Sequence, residues 1–189
     1  MNFSAVILAG GKSSRMGRDK ALLEISGQTL LARQIEIVRA AGAVEVFISG
    51  RADVDYSAFE GRLLQDNFPE AGPLAGIESA LAAANNPLLL VLAVDLLAMN
   101  ADFLRRLMTH CSANSGAVPR VAGDIEPLVA CYPKTAHPLA VQMLGRNQCA
   151  VKYFAGAVVS SGLAVWLDLT ESDRQLFKNG NRPADLPSA

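Results

Sequence analysis

The densest group of chemically capable residues is Leu8-Ala9-Gly10-Gly11-Lys12-Ser13-Ser14-Arg15-Met16-Gly17-Arg18-Asp19-Lys20, which follows an apolar run, Ala5 to Leu8, that reads as a β-strand. Adjacent glycines carry no Cβ, so backbone N–H groups there can approach phosphate oxygens closely, while Arg15 and Lys20 bring positive charge to the same stretch. In an open parallel sheet, ligands bind beyond the carboxyl ends of the strands, where a loop after a first strand lies. Phosphate binding is therefore the predicted chemistry, with Leu8, Ala9, Gly10 and Gly11 as backbone contributors. A surface turn with solvated cations is the competing reading. Spacing excludes two common phosphate loops. Gly11-Lys12-Ser13 imitates the end of a P-loop, but that motif's first glycine would fall at Val6, and Gly10, Gly11 and Gly17 do not fit G-x-G-x-x-G.

Two carboxylates stand out next. Asp95 closes the most apolar run of the chain, Leu88 to Val94, which puts it at the same sheet edge. Magnesium prefers oxygen ligands and takes one or two carboxylates together with substrate phosphates, so Asp95 is the candidate Mg2+ ligand, with a structural cap as the alternative. Leu64-Gln65-Asp66 leads into Gly72-Pro73-Leu74-Ala75-Gly76-Ile77. On local sequence alone, Asp66 reads as a solvated loop residue before a helix start. His110 and His137 lie on predicted helices without a matched nucleophile or ligand cluster and read as structural. Trp166 and the phenylalanines are scattered, as core packing requires, and form no base-stacking platform.

The first loop resembles the MobA-like nucleotidyltransferases, whose signature L-A-G-G-x-S-x-R-M-G-x-D-K is matched at every fixed position between Leu8 and Lys20. Gly72 to Gly76 looks like that family's G-P-L-A-G segment, which shapes the nucleotide site, and Asp66 matches its base-proximal aspartate. A carboxylate can accept from both the ring N–H and the exocyclic amine of guanine, which suits GTP over ATP. The resemblance also implies that Asn179 and Asn181 belong to an N-x-N-x-P element near the active site, and that Glu126-Pro127-Leu128 is an acceptor-side segment. There are departures: Leu97 replaces the proline of the family's D-x-P, Arg182 stands in place of a usual threonine, and Ser49 replaces an asparagine found in some members that contacts nucleotide. The activity implied is Mg2+-dependent transfer of GMP from GTP to the terminal phosphate of molybdopterin. Catalysis would rest on Arg15, Lys20 and Asp95. Cytidylyl-transferring relatives generally read Leu-Ala-Ala-Gly where this chain has Leu8-Ala9-Gly10-Gly11, which favours guanine over CTP. A binding module that has lost turnover is the remaining alternative.

These residues need a scaffold, and the hydrophobic pattern supplies one. Short Val/Ile/Leu-rich runs at Ala5 to Leu8, Val44 to Ser49, Arg62 to Gln65 and Leu88 to Val94 alternate with stretches of helical periodicity. Further strands are expected at Ala117 to Pro119, Leu128 to Tyr132 and Leu163 to Asp168. Leu30, Leu31, Gln34, Ile35, Val38 and Ala41 form one helical stripe that Gly42 ends. Pro73 to Ala84, a segment capped by Asn100 and running toward Cys111, and His137 to Leu144 complete the expected helices. Cys111 to Gly123, rich in small and turn-forming residues, reads as a surface connection. The sum is a three-layer α/β/α fold with a mostly parallel central sheet, and the resemblance makes it a Rossmann-like nucleotidyltransferase domain spanning 1–189.

Composition sets the outer bounds. At 189 residues the chain suits one domain with its own core. With 51% hydrophobic residues, 19% charged residues and a formal net charge of -1, no broadly basic nucleic-acid-binding surface is expected. The longest apolar run, Pro87 to Val94, falls well short of the ~20 residues that span a bilayer, and the N-terminus lacks a basic secretory leader. Cys111, Cys131 and Cys149 show no C-x-x-C pairing and are expected as reduced, mostly buried thiols. A cytoplasmic monomer that binds no nucleic acid and no membrane is the expectation.

Overall fold

The computed structural model describes residues 1–10 and 19–180. β1 (Ser4–Leu8), β4 (Glu45–Ser49), β5 (Arg62–Leu64) and β6 (Leu88–Ala93) arise from the four apolar runs that the sequence marks. Their periodicity explains why they form a central sheet. Ala5 and Ile7 of β1, Val46 and Ile48 of β4, and Leu88, Leu90 and Leu92 of β6 enter one core, while Val6, Phe47, Leu89 and Val91 enter the other. A strand buried on both faces has no polar side to show water, and all six residues of β6 are buried.

β1 lies parallel to β4 on one side and to β6 on the other, and β5 extends the sheet in parallel beyond β4. Beyond β6 the order continues through β9 (Val129–Pro133), β7 (Gly116–Val121) and β10 (Ala164–Leu169). β9 is antiparallel to β6 and β7, whereas β10 returns parallel to β7. The sheet is thus mostly parallel, and the chain reverses its direction of growth at β1. Ligands in such sheets bind at the carboxyl edge beside that reversal.

Helices α1 (Leu30–Ala40) and α3 (Ala101–Thr109) cover the first face. Helices α2 (Pro73–Ala83), α4 (His137–Gly145) and α5 (Val151–Ser160) cover the second. Their starts follow capping rules. The Thr29 hydroxyl accepts from Ala32 N, the Asn100 side chain accepts from Phe103 N, and Pro73 occupies the first turn of α2, where no N–H partner is needed.

Several expectations need correction. β6 ends at Ala93, one residue before Val94, whose N–H still donates to Leu8 O at 3.2 Å, and β5 ends at Leu64, before Gln65. The segment from Cys111 to Gly123 is no surface connection: it contains β7, whose residues are almost all buried. Of the three thiols only Cys131 is fully buried, while Cys111 and Cys149 are half-buried. Contact with Cys111, together with burial, pushes the Cys131 thiol up. Helix α5 is an addition, as are two tight hairpins. Ser26 and Gly27 turn β2 (Glu24–Ile25) into β3 (Gln28–Thr29), and Ala122 and Gly123 turn β7 into β8 (Asp124–Ile125). Each pair has positive φ at both central residues, the conformation that matches strand twist in a two-residue hairpin.

Candidate active site

The register brings the predicted residues to one edge. Leu8, the last residue of β1, sits between Ser49 of β4 and Ala93 of β6, and Ser49 in turn pairs with Leu64 of β5. The loop after β1 and residues Asp66 and Asp95 therefore all leave the sheet at its carboxyl edge. Ala9 N and Gly10 N both donate to Ser49 O, at 2.8 and 2.9 Å, which fixes where the glycine-rich loop begins. Among the described residues, a Cβ on Gly10 would meet only the Ser49 and Gly50 backbone at 3.7 Å or more. Gly11, Arg15 and Asn181 lie outside the described residues, as does the terminal segment at Pro183.

Beyond that gap, Asp19 re-anchors the chain. It is buried; its Oδ1 accepts from Ala21 N at 2.8 Å and its Oδ2 from the Tyr56 hydroxyl at 2.9 Å. Tyr56 packs against Gly50, where a Cβ would stand 2.3 Å from a ring carbon. Burial, aided by the Asp19 carboxylate and opposed by the Arg51 amide, pushes the Tyr56 phenol up to about 12, so it stays a hydrogen-bond donor. This anchor delivers Lys20 to the site. Lys20 Nζ donates to Asp95 Oδ2 at 2.8 Å, joining the loop's cation to the strand-end carboxylate across 75 residues of sequence.

On the β4 side, Ser49 Oγ reaches Asp66 Oδ1 at 3.5 Å, the outer limit of hydrogen bonding. Burial pushes the Asp66 carboxyl above the ordinary aspartate value; the Ser49 hydroxyl opposes this, and the negative charge of Glu78 adds to it. Gly76 makes the arrangement possible, since a Cβ there would stand 2.2 Å from Ser49 Oγ and 3.1 Å from a Leu8 methyl. Overpacking of this kind costs about 1–3 kcal/mol, more than the roughly 1 kcal/mol alanine gains over glycine in helix propensity. Gly76→Ala is expected to lower the urea midpoint of unfolding; an unchanged midpoint would contradict the close packing.

On the other side, Asp95 borders a cleft of about 650 Å3. Glu126 and Asn179 line it too, so three of the predicted residues are brought together. Asn179 arrives because the chain after β10 returns to the sheet edge: Gly180 N donates to Asp95 O at 2.9 Å, and Asn179 bridges to Leu96. Leu97 packs so closely on Gly180 that a Cβ there would meet it at 2.4 Å. The leucine that replaces a family proline is thus used to seat the returning segment. Helix α1 holds the same turn from below, with Gln34 Nε2 donating to Leu96 O at 3.0 Å and Arg33 to Leu97 O at 3.1 Å. The cleft is also lined by Lys152 and Tyr153 of α5, which sequence reasoning missed. Burial pushes the Glu126 carboxyl up, with Lys152 opposing.

The residues present fit magnesium of the kind that shares its ligands with substrate phosphates. Among the described residues no group of three or more His, Cys, Asp or Glu could cage a metal, yet Asp95 is half-buried at the sheet edge where the glycine-rich loop begins. The histidines stand elsewhere: His110 caps the end of α3, and His137 pairs with Glu78.

The family model for the MobA-like NTP transferase domain matches residues 5–156 of this chain. The chain belongs to that family. A probable molybdenum cofactor guanylyltransferase of Opitutus terrae is 40% identical over 185 residues, covering 96% of this chain and 92% of that one. A molybdenum cofactor guanylyltransferase of Pseudomonas putida is 33% identical over 97% of this chain and 95% of its own length. The fold is shared with molybdopterin-guanine dinucleotide biosynthesis protein A of Archaeoglobus fulgidus, with a TM-score of 0.75 at 21% identity over 98% of this chain and 95% of the other. The matched residues begin within β1 and end within α5.

Proposed function

We propose that this chain transfers GMP from GTP to the terminal phosphate of molybdopterin, forming molybdopterin guanine dinucleotide and releasing pyrophosphate. A phosphate oxygen of the acceptor attacks the α-phosphorus of GTP, the bond from that phosphorus to the bridging oxygen of pyrophosphate breaks, and the pyrophosphate departs in line. The acceptor oxygen is already anionic, so no side chain has to remove a proton. This agrees with a cleft lined by neither histidine.

The observation that carries the reading is the Lys20–Asp95 contact, which sits between the Ser49, Asp66 and Gly76 side and the cleft lined by Glu126 and Asn179. Reaction at the α-phosphorus requires its charge stabilisers between the two substrates. Lys20, the Gly10 and Gly11 backbone and Arg15 hold the triphosphate, Asp66 accepts from guanine, and Glu126, Asn179 and Asn181 face the acceptor. Asp95 would hold Mg2+, whose contribution is to neutralise charge on the phosphate oxygens. Among the described residues no helix is long and apolar enough to cross a membrane. The proposed activity on small-molecule substrates is assigned to a cytoplasmic, single-domain monomer.

Nucleotide selectivity tests the reading before any turnover is needed. In calorimetry with Mg2+, GTP is expected to bind at least about 10-fold more tightly than CTP or ATP, the discrimination available from one charge-assisted hydrogen-bonded pair. Preference for CTP would point to cytidylyl transfer. GTP binding without pyrophosphate release for any acceptor would make the chain a binding module.

A further inference from the structure

Glu78 lies in the middle of α2 and is only 3% exposed, among Leu74, Ile77 and Leu81 of the same helix. Placing a carboxylate there is costly unless it is well paired, and an apolar residue would serve packing as well or better. Both of its oxygens have partners. Oε1 lies 2.7 Å from His137 Nε2 at the start of α4, while Oε2 accepts from Asn67 Nδ2 at 3.1 Å and from Ser79 Oγ at 3.4 Å. Asn67 N in turn donates to Ser79 Oγ at 3.1 Å, so the Asn67 backbone and side chain are both tied to α2. Asn67 directly follows Asp66, whose side chain, among the described residues, is tethered by the long contact to Ser49.

We propose that Glu78, oriented by His137, is a positioning brace that holds Asn67 and thereby aims the adjacent Asp66 carboxylate at the guanine edge, making this buried cluster a determinant of base selectivity. The inference rests on the proposed role of Asp66 in reading guanine. The brace works through geometry: α4 presents His137, His137 fixes the Glu78 rotamer, and Glu78 fixes the first residue of the loop beyond Asp66. Burial chiefly, with a smaller contribution from the negative charge of Glu78, pushes the Asp66 carboxyl up.

Inosine triphosphate isolates the effect, because it lacks the exocyclic amine that donates to one Asp66 oxygen while keeping the ring N–H. The readout is the ratio of kcat/KM for GTP to that for ITP, which does not depend on the fraction of folded enzyme. The wild-type protein should prefer GTP by about 10- to 100-fold, as expected for one hydrogen bond to a charged group. Asp66→Ala should abolish that preference. His137→Ala, at a position whose side chain is about one-third exposed, and Glu78→Leu should each cut it by at least about 5-fold, with the loss in KM for GTP rather than in kcat. Glu78→Gln, which keeps one acceptor oxygen, should fall between Glu78→Leu and wild type. A preference lost in Asp66→Ala but intact in both His137→Ala and Glu78→Leu would overturn the brace alone. A wild-type enzyme that turns over GTP and ITP equally would overturn the base-reading role of Asp66 and the brace with it.

Discussion

Replacing Asp95 with alanine is expected to lower kcat/KM for guanylyl transfer by about 10³-fold, because losing the carboxylate proposed to hold Mg2+ would remove several kcal/mol of transition-state charge stabilisation. The contact with Lys20 makes this the largest single effect available in the site. Asp95 is half-buried, held by β6 behind it, by Gly180 N on its own carbonyl, and by the Gln34 and Arg33 side chains on the turn that follows. Its carboxylate is therefore preorganised, and no nearby carboxylate among the described residues forms a cluster that could replace it. Asp95→Asn preserves shape but not charge. It should be nearly as inactive as Asp95→Ala while unfolding at the same temperature within about 3 °C, the shift that roughly 1 kcal/mol produces in a chain of this size. Activity of either variant within 10-fold of wild type would remove Asp95 from the metal role.

The second large effect belongs to Lys20. Lys20→Ala should weaken GTP binding by about 10- to 100-fold, the size of a hydrogen bond between charged groups, and leave guanosine binding within about 2-fold. Calorimetry with each ligand distinguishes a phosphate contact from a general loss of structure. The local fold predicts survival of the variant, since Asp19 anchors the same turn through Ala21 N and the Tyr56 hydroxyl without using the lysine side chain. Equal losses for GTP and guanosine would contradict the phosphate role.

Much of the scaffold could be read from the chain because its signals are local. Ala5 to Leu8 and Leu88 to Val94 are runs of Val, Ile and Leu that only a doubly covered strand explains, and Pro73 and Asn100 mark helix starts by capping chemistry. Helix α5 escaped because it lacks such a mark. Its N-cap is Ala150 with no side-chain hydrogen bond, although Val151, Phe154, Ala155 and Val158 keep the spacing of a buried helical face. Ser26-Gly27 was a usable hairpin signal between strands too short to show alternation.

The site divides along the same line. Asp95 was visible because it closes a strand, whereas Asp66 was singled out by the family resemblance and not by its local sequence; topology then carries both to the carboxyl edge. Contacts that cross the sequence leave no local pattern. Nothing in the neighbourhood of Gln34 announces that it supports the Asp95 turn, and it reads simply as one more position on the buried face of α1. Lys152 and Tyr153 face the cleft only because α5 does, and Glu78 gains its meaning from His137, 59 residues away. Leu97 looked like a loss against the family pattern, yet its side chain fills the space beside Gly180 that seats Asn179 near Asp95.

Product formation tests the central claim most directly. The protein is incubated with Mg2+, molybdopterin bearing its terminal phosphate, and either GTP or CTP, and the products are identified by mass. The account predicts molybdopterin guanine dinucleotide and stoichiometric pyrophosphate from GTP, with little product from CTP. Absence of the guanine dinucleotide alongside turnover of CTP with the same cofactor preparation would contradict it.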